Sequence, residues 1–292
     1  MDDDRRLAAA SDAIAPPSQA TQLALRLFSG AALAVIALAS AWSGVPAFAA
    51  LALAVALIMS WEWSGMVRGA GLDICLIVHG LAVAAAIGLA AVGLAGLGLA
   101  ALLVGTIIVL ALEFGRRPIL SAAGVAYAGL PAVALIWLRA DEPHGLLAVI
   151  FVALVVVASD TGAFAAGRLL GGPRLAPAIS PNKTWSGLAG GLASAAAAAA
   201  AFAYANGAPL TVLAVMGFLM GAIAQMGDLA ESAMKRAFNV KDASQLLPGH
   251  GGFMDRMDGL SPVAVAVAVA ALFVDPQAPA SALLAGLSHG AP

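Results

Sequence analysis

The residues best suited to chemistry fall in two polar stretches of an otherwise apolar sequence. The first begins with Ser159, Asp160, Thr161 and Gly162, passes Arg168, and reaches Ile179-Ser180-Pro181-Asn182-Lys183-Thr184-Trp185. The second begins at Gln225 and carries Asp228, Glu231, Ser232, Lys235 and Arg236, then Lys241 and Asp242. It continues through Pro248-Gly249-His250-Gly251-Gly252 to Asp255-Arg256-Met257-Asp258. Carboxylates in this number can hold a hard cation such as Mg2+, which takes oxygen ligands. The bases beside them can stabilise phosphoryl charge, so the inventory suits phosphoryl or nucleotidyl transfer to a lipid headgroup.

Spacing adds detail. On a helix, Asp228 stacks with Glu231 and Ser232, and Lys235 follows Glu231 at i+4. Such a pair on a surface contributes only about 0.2–0.5 kcal/mol, but Asp228 closes an apolar run, which argues against plain exposure. Asp160 follows the apolar run Val149–Ala158 and so lies inside a span, near its end. An aspartate at a helix centre costs roughly 2.5–3.5 kcal/mol, less towards the interface, so a partner or a cation is expected. A structural pair with a neighbouring span is the other reading. Asp255 and Asp258 share a face if their segment begins helically.

Pro248–Gly252 cannot be a stable helix interior, and its glycines let backbone amides approach an anion as a nest. We therefore expect Asp228, Asp255 and Asp258 to bind the cation most directly, with Asp160 as ligand or support. His250 belongs to the phosphate-binding loop or hydrogen-bonds its glycine turn, since imidazole competes poorly with oxygen for Mg2+. Lys183, Lys235, Arg236 and Arg256 engage substrate phosphates or hold the carboxylates in place. One cysteine, Cys75, and four scattered histidines leave a soft-metal site without donors.

Membrane helices must position these groups. The chain is 62% hydrophobic and only 10% charged, with mean hydropathy +0.97. Too little polar surface exists to cover a water-soluble globule, whereas abundant alanine and glycine suit close helix approach in lipid. Apolar runs fall at Leu23–Ala41, Pro46–Ser64, Asp73–Ala90, Leu94–Leu112, Pro118–Leu138, Gly145–Ala166, Gly187–Ala205, Pro209–Gly227 and Pro262–Val274. Most approach the ~20 residues that cross ~30 Å of hydrocarbon, and their backbones must be helical there. The expected fold is an all-α polytopic membrane protein of about nine transmembrane helices.

Orientation follows from the bases. With the amino terminus in the cytoplasm and spans alternating, every one of the 14 Lys and Arg residues except Arg139 falls on the cytoplasmic side. Both polar stretches then share that face, which makes it the expected active-site face. Arg26, Arg68, Arg116 and Arg117 are read as topology determinants or snorkelling side chains. Glu62 and Glu113 are read as interfacial, with lining a pocket as the alternative. Residues 1–22 read as a disordered cytoplasmic tail, 23–138 as amino-terminal membrane helices, 145–275 as a catalytic membrane region and 276–292 as a carboxy-terminal tail.

The two stretches resemble the phosphatidate cytidylyltransferases, or CDP-diacylglycerol synthases. The match begins at Ser232, takes in Lys235-Arg236 and Lys241-Asp242, and continues through Pro248, His250-Gly251-Gly252 and Asp255-Arg256 to Asp258. Upstream, Asp160-Thr161-Gly162-Ala163, Ile179–Trp185 and Gly227-Asp228-Leu229 are similar to the family's other stretches. Asn182, Ser186 and Gly259 depart from residues common in the family; none of them is an expected cation ligand. The first half of the chain matches only as hydrophobic spans.

The resemblance implies transfer of a cytidylyl group from CTP to phosphatidate, giving CDP-diacylglycerol and pyrophosphate in phospholipid biosynthesis. It implies Mg2+, with a second cation left open, and Ser180, Lys183, Lys241, Gly251 and Gly252 as phosphate-binding positions. Expected partners are the two substrates and the bilayer, with a homodimer left open and no nucleic acid. The expected location is a bacterial-type inner membrane. A CTP-dependent lipid kinase and a multi-span transporter are the alternatives; a transporter would place more polarity at midplane.

Overall fold

A computed structural model describes residues 19–69, 71–115, 117–244, 246 and 251–284. Its backbone is almost entirely helical, as an apolar chain in lipid must be to satisfy its own amides. The first five helices are α1 (Gln19–Trp42), α2 (Val45–Arg68), α3 (Ile74–Ala91), α4 (Ala95–Leu112) and α5 (Pro118–Arg139). After α6 (Gly145–Leu170) come two short strands, β1 (Arg174–Ala176) and β2 (Ser180–Thr184). The chain continues as α7 (Trp185–Asn206), α8 (Leu210–Ala237), α9 (Met254–Met257), α10 (Leu260–Val274) and α11 (Pro279–Leu283). Seven of these, α2 to α8, are long and apolar enough to cross a membrane; α10 and the Ser29–Trp42 part of α1 are shorter apolar helices.

The apolar runs read from sequence coincide with helices, but two helices outlast their apolar portion. Helix α6 carries Asp160 in regular helix and ends at Leu170; α8 runs past Gly227 to Ala237 with its polar face intact. Three other features depart from expectation. The polar stretch before α7 forms an antiparallel hairpin, with Arg174 opposite Thr184 and Ala176 opposite Ser180, a small addition to an all-α bundle. The segment after α10 is no plain tail: α11 has its own buried Pro279, Ala280 and Leu283. Asp141 accepts the Ala280 and Ser281 amides at 2.7 and 3.0 Å, which fixes its start. Helix α1 begins at Gln19, inside the segment read as tail; the rest of that expectation, residues 1–18, lies outside the described residues.

Two cores divide the molecule. Helices α2–α5 pack around Met59, Val83, Ile87, Leu102, Val125 and Ile136. Helices α6, α7, α8, α10 and α11 pack around Phe151, Val155, Phe202, Leu213, Val263 and Leu284. Contact between α6 and α7 depends on small side chains. A Cβ on Gly191 would sit 3.0 Å from the Ser159 carbonyl oxygen, and one on Gly190 would sit 3.0 Å from that of Gly162. The backbones can therefore approach closely, as in small-residue packing between membrane helices. Thr184 caps α7 by accepting the Gly187 amide at 3.0 Å, which ties the hairpin to the α7 start.

Candidate active site

Close α6–α7–α8 packing sets Asp160 beside α8. Gln225 Nε2 donates to Asp160 Oδ1 and Ser159 Oγ, each at 3.3 Å. One turn further along α8, Asp228 Oδ2 lies 2.7 Å from Lys183 Nζ, delivered by β2. Lys183 also reaches the Gln225 carbonyl at 3.4 Å, and Ser232 Oγ donates to Asp228 Oδ1 at 3.4 Å. Residues 42 to 66 positions apart in sequence, with neighbours one helical turn apart on α8, thus form one polar strip.

Asp258 reaches the same strip from the other side. Gly227 on α8 packs against the Asp258 carbonyl oxygen and the Pro262 ring, leaving no room for a Cβ. The Asp258 carboxylate accepts the Gly259 amide at 2.7 Å. Burial first, and then the negative charge of Asp228, pushes its pKa up to about 7; Asp160 adds to the rise, against the Gly259 amide and Lys235. Such mutual repulsion marks a surplus of negative charge that a hard cation would relieve, so the donor set fits Mg2+ chemistry. Among the described residues no group of three Asp, Glu, His or Cys side chains is placed to hold a metal ion by itself.

Asp255 has different surroundings. Its Oδ1 pairs with Lys235, while Oδ2 accepts the amides of Ala243 at 3.0 Å and Gly252 at 2.8 Å. Burial alone would raise its pKa, but the Lys235 hydrogen bond and the two amides outweigh that and hold it below the usual carboxylate range. Lys235 also lies 3.2 Å from Glu231. The Asp255 carboxylate is thus spent on protein donors.

The glycine stretch also differs in detail from an open anion nest. Gly251 has φ +79°, and a Cβ there would meet Asp255 Oδ2 at 3.0 Å; a Cβ on Gly252 would lie 2.5 Å from Glu62 Oε1. These glycines admit two carboxylates close to the backbone. The Gly252 amide is engaged by Asp255, and the Phe253 and Met254 amides by Glu62. His250, with Pro248 and Gly249, lies outside the described residues.

The remaining expected positions lie around this strip. Arg236 is exposed, and its guanidinium donates to the Ile179 and Val240 carbonyls at 3.4 Å each. Lys241 and Arg256 are exposed and Ser180, at the start of β2, is half-buried. Arg256 is near enough to act electrostatically on Asp160.

Two sequence assignments change. Arg68 is no snorkelling side chain: it pairs with Asp73 at 3.0 Å and donates to Ser64 Oγ at 2.6 Å, with its side chain only 5% exposed. Glu62 and Glu113 are buried, at 2% and 6% exposure, and each lines a cavity, as the alternative reading had it. Glu62 and Gln225 were both visible in sequence as polar residues inside apolar helices, a standing sign of a built site.

The fold and this charged end define a class: a multi-helix membrane protein whose ionisable side chains gather at one end of the bundle. Comparison with known proteins narrows it. The family model described as the cytidylyltransferase family matches residues 24–274. The chain is 37% identical over 264 residues to a phosphatidate cytidylyltransferase of Brucella suis, covering 89% of this chain and 98% of the relative. It is 42% identical over 127 residues to that of Haemophilus influenzae, covering 41% of this chain and 44% of the relative. With that of Bacillus subtilis it shares 37% identity over 134 residues, 45% of this chain and 50% of the relative. The chain belongs to the cytidylyltransferase family, among its phosphatidate cytidylyltransferases.

Proposed function

We propose that this chain transfers the cytidylyl group of CTP to phosphatidate, giving CDP-diacylglycerol and pyrophosphate. Family membership across residues 24–274 carries the reading. It favours nucleotidyl transfer over a lipid kinase or a transporter. A phosphatidate phosphate oxygen attacks the CTP α-phosphorus, forming a new P–O bond. The bond from that phosphorus to the bridging oxygen breaks, and pyrophosphate leaves with the electron pair. The nucleophile is already anionic, so little general-base work is needed; the barrier is repulsion between two anions.

Asp228 and Asp258, supported by Asp160, are our candidates to hold Mg2+; Asp255 we assign first to holding Lys235 and the glycine loop. Bound there, Mg2+ would neutralise triphosphate charge as pyrophosphate departs. Lys183 sits where its ammonium can meet both Asp228 and a phosphate oxygen. Lys235, Arg236, Lys241, Arg256, Ser180, Gly251 and His250 remain candidates for phosphate contact. Acyl chains can stay in the bilayer beside the exposed apolar face of α6, which carries Leu154, Val157 and Phe164.

The same reading places this end in the cytoplasm of a bacterial-type inner membrane, with α1 and α10 completing nine spans. It also keeps α1–α5 as a membrane-helix region and α6–α10 as the catalytic one. A reporter fused after Val240 should read cytoplasmic and one at Asn206 extracytoplasmic; reversed signals would overturn the orientation. The decisive assay is purified protein in detergent, given CTP, phosphatidate and Mg2+, with lipid and pyrophosphate products identified. Absence of CDP-diacylglycerol from folded preparations would reject the function.

A further inference from the structure

Glu62 is an acidic residue in an apolar helix, 2% exposed, with no role in the reaction as derived above. A buried carboxylate is costly unless donors surround it, and here they come from the other half of the chain. Glu62 Oε1 accepts the Ser244 hydroxyl at 2.6 Å and the Phe253 amide at 2.9 Å; Oε2 accepts the Met254 amide at 2.7 Å. Those partners lie 182 to 192 positions further along the sequence.

The bonds have a direction of consequence. The Phe253 and Met254 amides open α9, whose next residues are Asp255 and Arg256 and which ends at Asp258. Asp255 in turn takes the Ala243 and Gly252 amides and pairs with Lys235. Glu62 from α2 and Asp255 from α9 thereby pin the segment on either side of Gly252. The far end of the segment rests on α8, where Gly227 faces the Asp258 carbonyl oxygen, so the position of α9 sets where the Asp258 carboxylate stands.

We propose that Glu62 is a positioning residue for nucleotidyl transfer: from α2 it fixes α9 so that Asp258 stands opposite Asp228. The inference rests on the functional reading above, in which the Asp228–Asp258 face holds the cation. Glu62 touches no reacting atom. A carboxylate that merely filled a buried site would affect folding and leave the cation dependence of the folded enzyme alone.

The test uses the full chain in detergent, with kcat, KM for CTP and Mg2+ half-saturation measured for Glu62→Gln and Ser244→Ala. Glutamine keeps the shape but presents an amide donor to the Met254 or Phe253 amide. We expect Glu62→Gln to lower kcat by roughly 10- to 100-fold, the range seen when groups that orient metal ligands are changed. Mg2+ half-saturation should rise severalfold, with KM for CTP within about twofold of the unaltered chain. Ser244→Ala, which removes one of three donors, should change kcat less than about fivefold. Should Glu62→Gln fail to insert or fold, Glu62→Asp, a methylene too short for all three donors, is judged by the same two quantities. A folded Glu62 variant with unchanged kcat and unchanged Mg2+ half-saturation overturns the proposal. If the unaltered chain itself makes no CDP-diacylglycerol, the functional reading fails first and this inference falls with it.

Discussion

The two halves of the bundle hold similar polar residues and use them differently. In α1–α5 and the adjoining turns, buried polar side chains find their partners within that half: Arg68 with Asp73 and Ser64, the Cys75 thiol with Glu113, Arg139 with Glu142 and the Ala41 carbonyl. Asp73 also caps α3 through the Leu76 amide at 2.7 Å, so that cluster is finished once two neighbouring helices form. In α6–α10, Asp160, Asp228 and Asp258 repel one another, while Lys183 pairs with Asp228 and acts on Asp160 and Lys235 acts on Asp258. A completed ion pair inside a membrane protein is a device for packing and topology. An incomplete one, with charge left over at a helix end, is where a ligand of opposite charge is wanted. Glu62 crosses the division, belonging by sequence to the first half and by its bonds to the second.

The largest test of this contrast is neutralisation on each side of it. Asp228→Asn and Asp258→Asn should each lower turnover by about 100-fold or more, the scale of losing a group that stabilises developing charge. Asp73→Asn and Glu113→Gln, removing the same charge from the closed clusters, should leave turnover of folded protein within about threefold. Equal losses in both halves would erase the distinction. Next in size is Lys183→Ala, expected to cost about 10- to 100-fold in kcat/KM, with partial recovery in Lys183→Arg because the charge returns. No loss for Lys183→Ala would remove the hairpin from the site.

Packing should give a smaller effect, read as stability. Gly191→Leu places a side chain where a Cβ already meets the Ser159 carbonyl at 3.0 Å. It should destabilise by about 1–3 kcal/mol through overpacking, lowering the unfolding midpoint in detergent. The same change at Gly88, where a Cβ meets nothing within 4 Å, should be tolerated; equal effects would deny the α6–α7 contact its special closeness.

The smallest effect is the pH response. The Asp258 carboxyl has a pKa of about 7 because burial and Asp228 favour its protonated form. Protons and Mg2+ therefore compete for it, and the Mg2+ half-saturation should rise as pH falls below 7, by at most about tenfold per unit for one proton. For the cation-free protein the sign is fixed by linkage: its pKa is raised on folding, so its contribution to stability declines as pH rises from about 4 through about 7. Asp258→Asn should flatten both trends. A half-saturation that is constant from pH 8 to pH 6 would place the cation elsewhere.

Most of the fold was legible in the sequence because lipid leaves the backbone few choices. Each apolar run became a helix, and the helix ends near Gly69, Gly207 and Thr184 carry ordinary caps. The hairpin at 174–184 was not legible, since Pro, Asn, Lys and Ser carry no strand pattern and its pairing depends on the α6 and α7 ends it joins. Residues of the candidate site were legible by type, and Asp160, Lys183, Asp228 and Asp258 stand near enough to act on one another. Partners were not. That Asp255 would turn towards Lys235 and the loop amides, or that Glu62 would reach α9, depends on contacts across most of the chain. Spacing along one helix cannot encode those, although a lone glutamate in an apolar span was the available clue.

We propose that the Asp228–Asp258 face supports cation-dependent transfer from CTP to phosphatidate. The most direct test is incorporation of labelled cytidylate into lipid across a Mg2+ titration, with the unaltered chain beside folded Asp228→Asn and Asp258→Asn variants. The account predicts saturable Mg2+ activation of CDP-diacylglycerol formation in the first, and in both variants a turnover lower by about 100-fold with half-saturation shifted to higher Mg2+. Folded variants that match the unaltered chain in turnover and in Mg2+ dependence would contradict it.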